Sequence, residues 1–124
     1  MDASPEVAAL LDRLIGEARA CGPLNLTGGT ADRRPGEDGI YVLRGSRRIF
    51  ASAQPRSDRL EGHLVLSRQV IDPGFVRVEP MTRRLYFHHY VIASGSQFSE
   101  RFLACVREAY AVGQGAHLKA GPRS

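Results

Sequence analysis

The chain has 124 residues, 43 % of them hydrophobic and 24 % charged, and a formal net charge of +4. That size suits one domain with one modest core, and that composition excludes disorder over most of the length. The excess charge is concentrated: between Arg44 and Arg84 nine arginines stand against four acids, a net of +5, while the rest of the chain sums to −1.

Near the N-terminus Asp12 and Arg13 interrupt the apolar run VAALLDRLIG, which excludes a signal peptide or a membrane span there and makes a cytoplasmic location the expectation. Ser4 caps a helix that opens on Pro5 and Glu6, and Val7, Leu10, Leu11, Leu14, Ile15 and Ala18 recur along one face of it until Gly22 and Pro23. Cys21 and Cys105, far apart and without a close-spaced partner, read as reduced thiols. A short strand over 24–27 precedes a polar, glycine-rich loop at 28–39, expected to be the mobile segment.

From Ile40 the apolar period becomes two. Strands are predicted at 40–44, 47–53 and 60–67, separated by Gly45-Ser46 and by a proline-bearing segment at 54–58. Asp72-Pro73-Gly74 marks a turn, 75–79 a short strand ended by Pro80, and 84–93 the longest strand. Ser94 or Ser96 is the expected cap of a second helix in which Phe98, Phe102, Cys105, Val106 and Ala109 share a face and which Gly113 stops. The result is a single α+β domain over 1–118, an antiparallel sheet of five or six strands flanked by an N-terminal and a C-terminal helix, with a short basic tail at 119–124.

No phosphate loop, nucleophile elbow, paired-cysteine spacing or His-Glu-x-x-His helix occurs. Gly113-Gln114-Gly115 ends a helix instead of beginning one and is a stop signal. His63, His88, His89 and His117, with no acid at ligand spacing, define no metal site, and no cofactor is implied. Chemistry is concentrated in RRLYFHHYVI, the segment 83–92. Adjacent strand residues point to opposite faces, so Arg84, Tyr86, His88, Tyr90 and Ile92 share one face while Leu85, Phe87, His89 and Val91 share the other. If helices cover the Leu85 and Phe87 face, the Arg84, Tyr86, His88 row is an aromatic and basic platform on which a nucleic acid or another anion can sit. If they cover the other, His88 is a hydrogen-bonded core histidine.

GHLVLSR (62–68), FVRVEPMTRRLYFHH (75–89) and REAYAVGQGAHL (107–118) together resemble the bacterial domain of unknown function 5655 family over 40–118. In that family a histidine occurs in the first of these strands, and an arginine and a histidine lie four apart before the last helix. The resemblance carries these to His63, Arg84 and His88 and favours His88 over His89. Where the family often has a second histidine this chain has Tyr86, and where it has an acid this chain has His89. It implies a small domain, alone or appended to larger proteins, some of them DNA-handling, with no established activity.

Three functions follow as expectations. The first is a non-enzymatic module binding a phosphate-bearing or nucleic-acid-like anion through His63, Arg84, Tyr86 and His88. The second is an enzyme on a phosphate-containing substrate, with His63 and His88 as base and acid and Arg84 steadying charge. The third is a homodimer, favoured if the strand at 84–93 lies at a sheet edge.

Overall fold

A computed structural model describes residues 4–27, 40–71 and 75–116. The expected loop at 28–39, the Asp72-Pro73-Gly74 turn, His117 and the tail at 119–124 lie outside the described residues. Helix α1 spans Pro5–Arg19, capped by Ser4, whose hydroxyl accepts from the Val7 amide at 3.2 Å. The strands follow as β1 (Asn25–Thr27), β2 (Tyr41–Arg44), β3 (Ile49–Pro55), β4 (Leu60–Leu66), β5 (Arg77–Pro80) and β6 (Tyr86–Ile92), and helix α2 spans Glu100–Gly113. All pairings are antiparallel, in the order β1-β2-β3-β4-β6-β5. The fold is α+β, as the periodicities indicate, with six strands among the described residues.

The stripe Leu60, Leu64 and Leu66 on β4 decides which side of the sheet the helices cover. All three are fully buried, each contributing roughly 2 kcal/mol relative to exposure. Beneath the helices they join Val7, Leu10, Leu11, Leu14 and Ala18 of α1 and Phe102, Cys105, Val106 and Ala109 of α2 in one cluster. The register carries that side onto β6, because Leu60 pairs with Ile92, Gly62 with Tyr90 and Leu64 with His88. On the opposite side only the C-terminal end of α2 reaches the sheet among the described residues, where Val112 joins Val65 and Leu85 in a small second cluster against Met81 and Phe87. None of the described helices is long and apolar enough to cross a membrane.

The cap of α2 is Ser99, whose hydroxyl accepts from the Phe102 amide at 3.1 Å, and not Ser94 or Ser96. Ser94 instead opens a single 3₁₀ turn over Gly95–Gln97, and Phe98, at φ −81° and ψ 66°, breaks the path between that turn and the helix. At its other end α2 holds the β2–β3 turn. The amides of Arg47 and Arg48 donate to the Gly113 carbonyl at 2.8 and 3.2 Å, and the Ser46 amide donates to Gln114 Oε1 at 2.9 Å. A Cβ on Gly45 would lie 2.6 Å from that carbonyl oxygen, so this docking needs glycine there. The helix C-terminus thereby sets where Arg48 enters β3.

Candidate functional site

Tyr86, His88 and Tyr90 are on the helix-covered side and Arg84 is not in the strand, so the expected row is no platform. His88 is completely buried, Tyr90 is 3 % exposed, and Tyr86 is half-buried. His88 Nε2 accepts from the Val70 amide at 2.9 Å, and His88 Nδ1–H donates to the Tyr86 carbonyl at 3.1 Å. An amide can only donate and a carbonyl can only accept, so these two bonds fix the neutral Nδ1–H tautomer. Burial pushes the His88 pKa down, which agrees. This is the core-histidine alternative. Arg84 lies in the exposed turn before β6, its amide donating to Thr82 Oγ1 at 3.2 Å.

His63 pairs with His89 across the strands and Leu64 with His88, so His63 and His88 point to opposite sides of the sheet. They cannot act as base and acid on one substrate, and that pairing is corrected. The strand-edge route to a homodimer also closes, since β6 lies between β4 and β5. Replacing His88 with leucine is expected to cost roughly 2–3 kcal/mol in urea unfolding, because the Val70 amide and the Tyr86 carbonyl lose their partner, while His63 and its neighbours on the other side keep their chemical shifts.

On the uncovered side the register lays down three rows across the strands. The middle row is Val42, Ser52, His63, His89 and Arg77, each directly opposite the next. Gln54, Glu61 and Val91 flank it on one side, and Val65, Phe87 and Glu79 on the other. Ile40, Ile49, Val76 and Met81 add apolar walls, and the whole encloses a trough of about 630 Å³. That combination of apolar walls and a few convergent polar groups is the usual make-up of a small-molecule site.

The polar groups are ordered by one another. Ser52 Oγ lies 2.8 Å from His63 Nδ1, and the His63 ring stands edge-on to Phe87 with centroids 4.5 Å apart. Burial first, and then the neighbouring His89, push the His63 pKa down to about 4, so His63 is neutral at pH 7. His89 Nε2–H donates to Glu79 Oε1 at 2.9 Å. Glu79 also takes the Arg77 guanidinium, and His89 and then Arg77 hold its carboxyl below the ordinary range. Ser52 is held from behind, where Tyr90 Oη reaches across Gly62 to donate to the Ser52 carbonyl at 2.7 Å.

One end of the trough is closed by Arg48. Its Nη2 contacts Met81 Sδ at 3.6 Å and its Nε donates to the Ile49 carbonyl at 3.0 Å. Since Met81 follows β5 while Arg48 precedes β3, the guanidinium lies across the Val65 and Phe87 row. It is half-buried and has no acid partner among the described residues, in contrast to Arg56, Arg59, Arg68 and Arg77, which each pair with a carboxylate. Desolvation first, and then Arg44, lower its pKa.

Of the four candidate site residues His63, Arg84, Tyr86 and His88, only His63 lines this trough, and His89, which the sequence set behind His88, lines it too. Ser52, Glu79 and Arg48 were missed. The available signal was the Leu60, Leu64, Leu66 stripe: once β4 is paired with β6, it sends His88 inward and His89 outward. No family model matches the chain, and neither a curated protein nor a solved structure matches it.

Proposed function

We propose that the domain is a binding module for a small anionic ligand with an apolar or aromatic body, taken up in the trough on the uncovered side of the sheet. The observation that carries this reading is Arg48, a half-buried cation without a described carboxylate partner at one end of an apolar concavity. An anion there gains a charge-assisted, bidentate contact in a partly desolvated setting. Val42, Phe87 and Val91 take the apolar body, and neutral His63 offers Nε2 for one directional hydrogen bond. The family resemblance remains a proposal on the three segments quoted for it and adds no activity.

The test is an amide NMR titration with three anions, adenosine monophosphate, benzoate and octanoate, in the presence of EDTA. At least one is expected to shift Ser52, His63, Phe87 and His89 together. Arg48→Met, which keeps the aliphatic stem but removes the charge, is expected to weaken that binding roughly ten- to hundredfold, the equivalent of about 1.5–3 kcal/mol. Anions that shift only exposed arginines, or nothing on this side at millimolar concentration, sink the reading. A second copy of the chain is the rival occupant, supported by exposed Ile40, Ile49 and Val76 around the rim. Light scattering that reports a dimer dissociated by Ile49→Glu would favour it.

A further inference from the structure

We propose that His63 and His89 together form a site for a zinc-class divalent cation on the floor of the trough. The two residues are direct cross-strand partners on the same side of the sheet, and their ring centroids lie 5.8 Å apart. Two imidazoles bound to one ion at metal–nitrogen distances of about 2.0–2.1 Å have centroids about 5–6 Å apart, so the rings already stand at ligating separation.

The second shell fits as well. Each ring has one nitrogen held by a protein oxygen: His63 Nδ1 by Ser52 Oγ at 2.8 Å, and His89 Nε2 by Glu79 Oε1 at 2.9 Å. The other nitrogen of each, His63 Nε2 and His89 Nδ1, has no protein partner among the described residues. A histidine that ligates a metal through one nitrogen while the other is fixed by a carboxylate or hydroxyl is the recurring arrangement around zinc, because the partner sets ring orientation and strengthens the donor.

Among the described residues no group of three or more histidines, cysteines or carboxylates is placed to hold one metal ion together, and Glu79 is engaged by His89 Nε2 and Arg77. The site therefore supplies two protein ligands, one fewer than an open catalytic zinc site, and leaves the remaining coordination positions to solvent or to a ligand. Geometry of this kind suits zinc, nickel or copper(II) and not magnesium, which prefers oxygen donors. It depends on neither Arg48 nor an organic anion, so it stands or falls apart from the function proposed above.

The experiment is a titration of zinc chloride into the EDTA-treated, desalted chain without organic anion, followed by calorimetry and by histidine side-chain NMR. One equivalent is expected to bind with Kd on the order of 10 µM, as two of four ligands imply, shifting the His63 and His89 ring signals together. Magnesium chloride should shift neither ring. His63→Ala and His89→Gln should each weaken zinc binding at least tenfold. Glu79→Gln, which keeps the fold and both ligands, should weaken it by a smaller factor, marking Glu79 as a positioning residue. Zinc that leaves the His63 and His89 rings unshifted, or wild-type affinity in His89→Gln, overturns the proposal. The His89 side chain is 35 % exposed, so His89→Gln decides the matter even if His63→Ala does not fold.

Discussion

Replacing Gly62 with alanine is expected to destabilise the domain by roughly 3 kcal/mol and to lower its Tm by roughly 10 °C. Gly62 is the point at which β4 lets two neighbours meet across it. Tyr90 Oη on β6 donates to the Ser52 carbonyl on β3 at 2.7 Å, and a Cβ on Gly62 would stand 2.1 Å from that carbonyl oxygen and 2.6 Å from the tyrosine oxygen. The first of these is backbone inside a paired strand, so the sheet itself must move. The tyrosine hydroxyl then loses its acceptor in a fully buried place, which adds the cost of an unpaired polar group to that of overpacking. Tyr90→Phe isolates the hydrogen bond and is expected to cost about 1–2 kcal/mol. Urea unfolding of both variants checks the pair; a Gly62→Ala protein as stable as the parent would show that the strands part without cost.

Acid is expected to destabilise the domain well before its carboxylates titrate. An unfolded histidine takes a proton near 6.5, whereas folded His63 does so only at about 4. Between these values the unfolded state binds a proton that the folded state refuses, so stability rises with pH across the window and is lost as pH falls through it. For His63 the loss by pH 4 is roughly 2–3 kcal/mol, allowing for its contact with the trough. His88, also shifted down, adds a loss of the same sign, because a proton on Nε2 removes the acceptor of the Val70 amide. Unfolding free energies measured by urea at pH 7.5, 6.0, 5.0 and 4.5 should fall steadily, and His63→Gln should flatten the slope by about one proton. A flat profile from pH 7 to 5 would mean that neither histidine is held neutral by the fold.

Chemistry in this molecule divides between the two sides of one sheet, and the division explains why a histidine pair adjacent in sequence does two unrelated things. His88 closes a hydrogen-bond ledger beneath the helices, tying the Val70 segment to β6. His89 faces the trough, where Glu79 orients it and His63 stands opposite. A two-residue period guarantees that neighbours diverge, but it does not say which neighbour goes inward.

The sequence by itself determined the elements and their order: the Ser4 cap and apolar stripe of α1, the change to a two-residue period at Ile40, the stop at Gly113, and hence the α+β class. Local propensities and periodicities are enough for that, because caps, stripes and turns act over a few residues. On β4 the sequence even separated the faces, with Leu60, Leu64 and Leu66 opposed to His63. On β6 it did not, since each face carries one histidine among large apolar or aromatic side chains, and the tyrosine face, not the more apolar Leu85 and Phe87 face, is the one that goes beneath the helices. Only the tertiary structure resolved it: the β4–β6 register sets His88 beside Leu64 and beneath the helices, while the β3–β4 and β4–β6 pairings bring Ser52, His63 and His89 into one row. Arg48 depends on tertiary contact still more, being one of nine arginines in its stretch and distinguished only by where α2 holds its turn and by the carboxylate it lacks among the described residues.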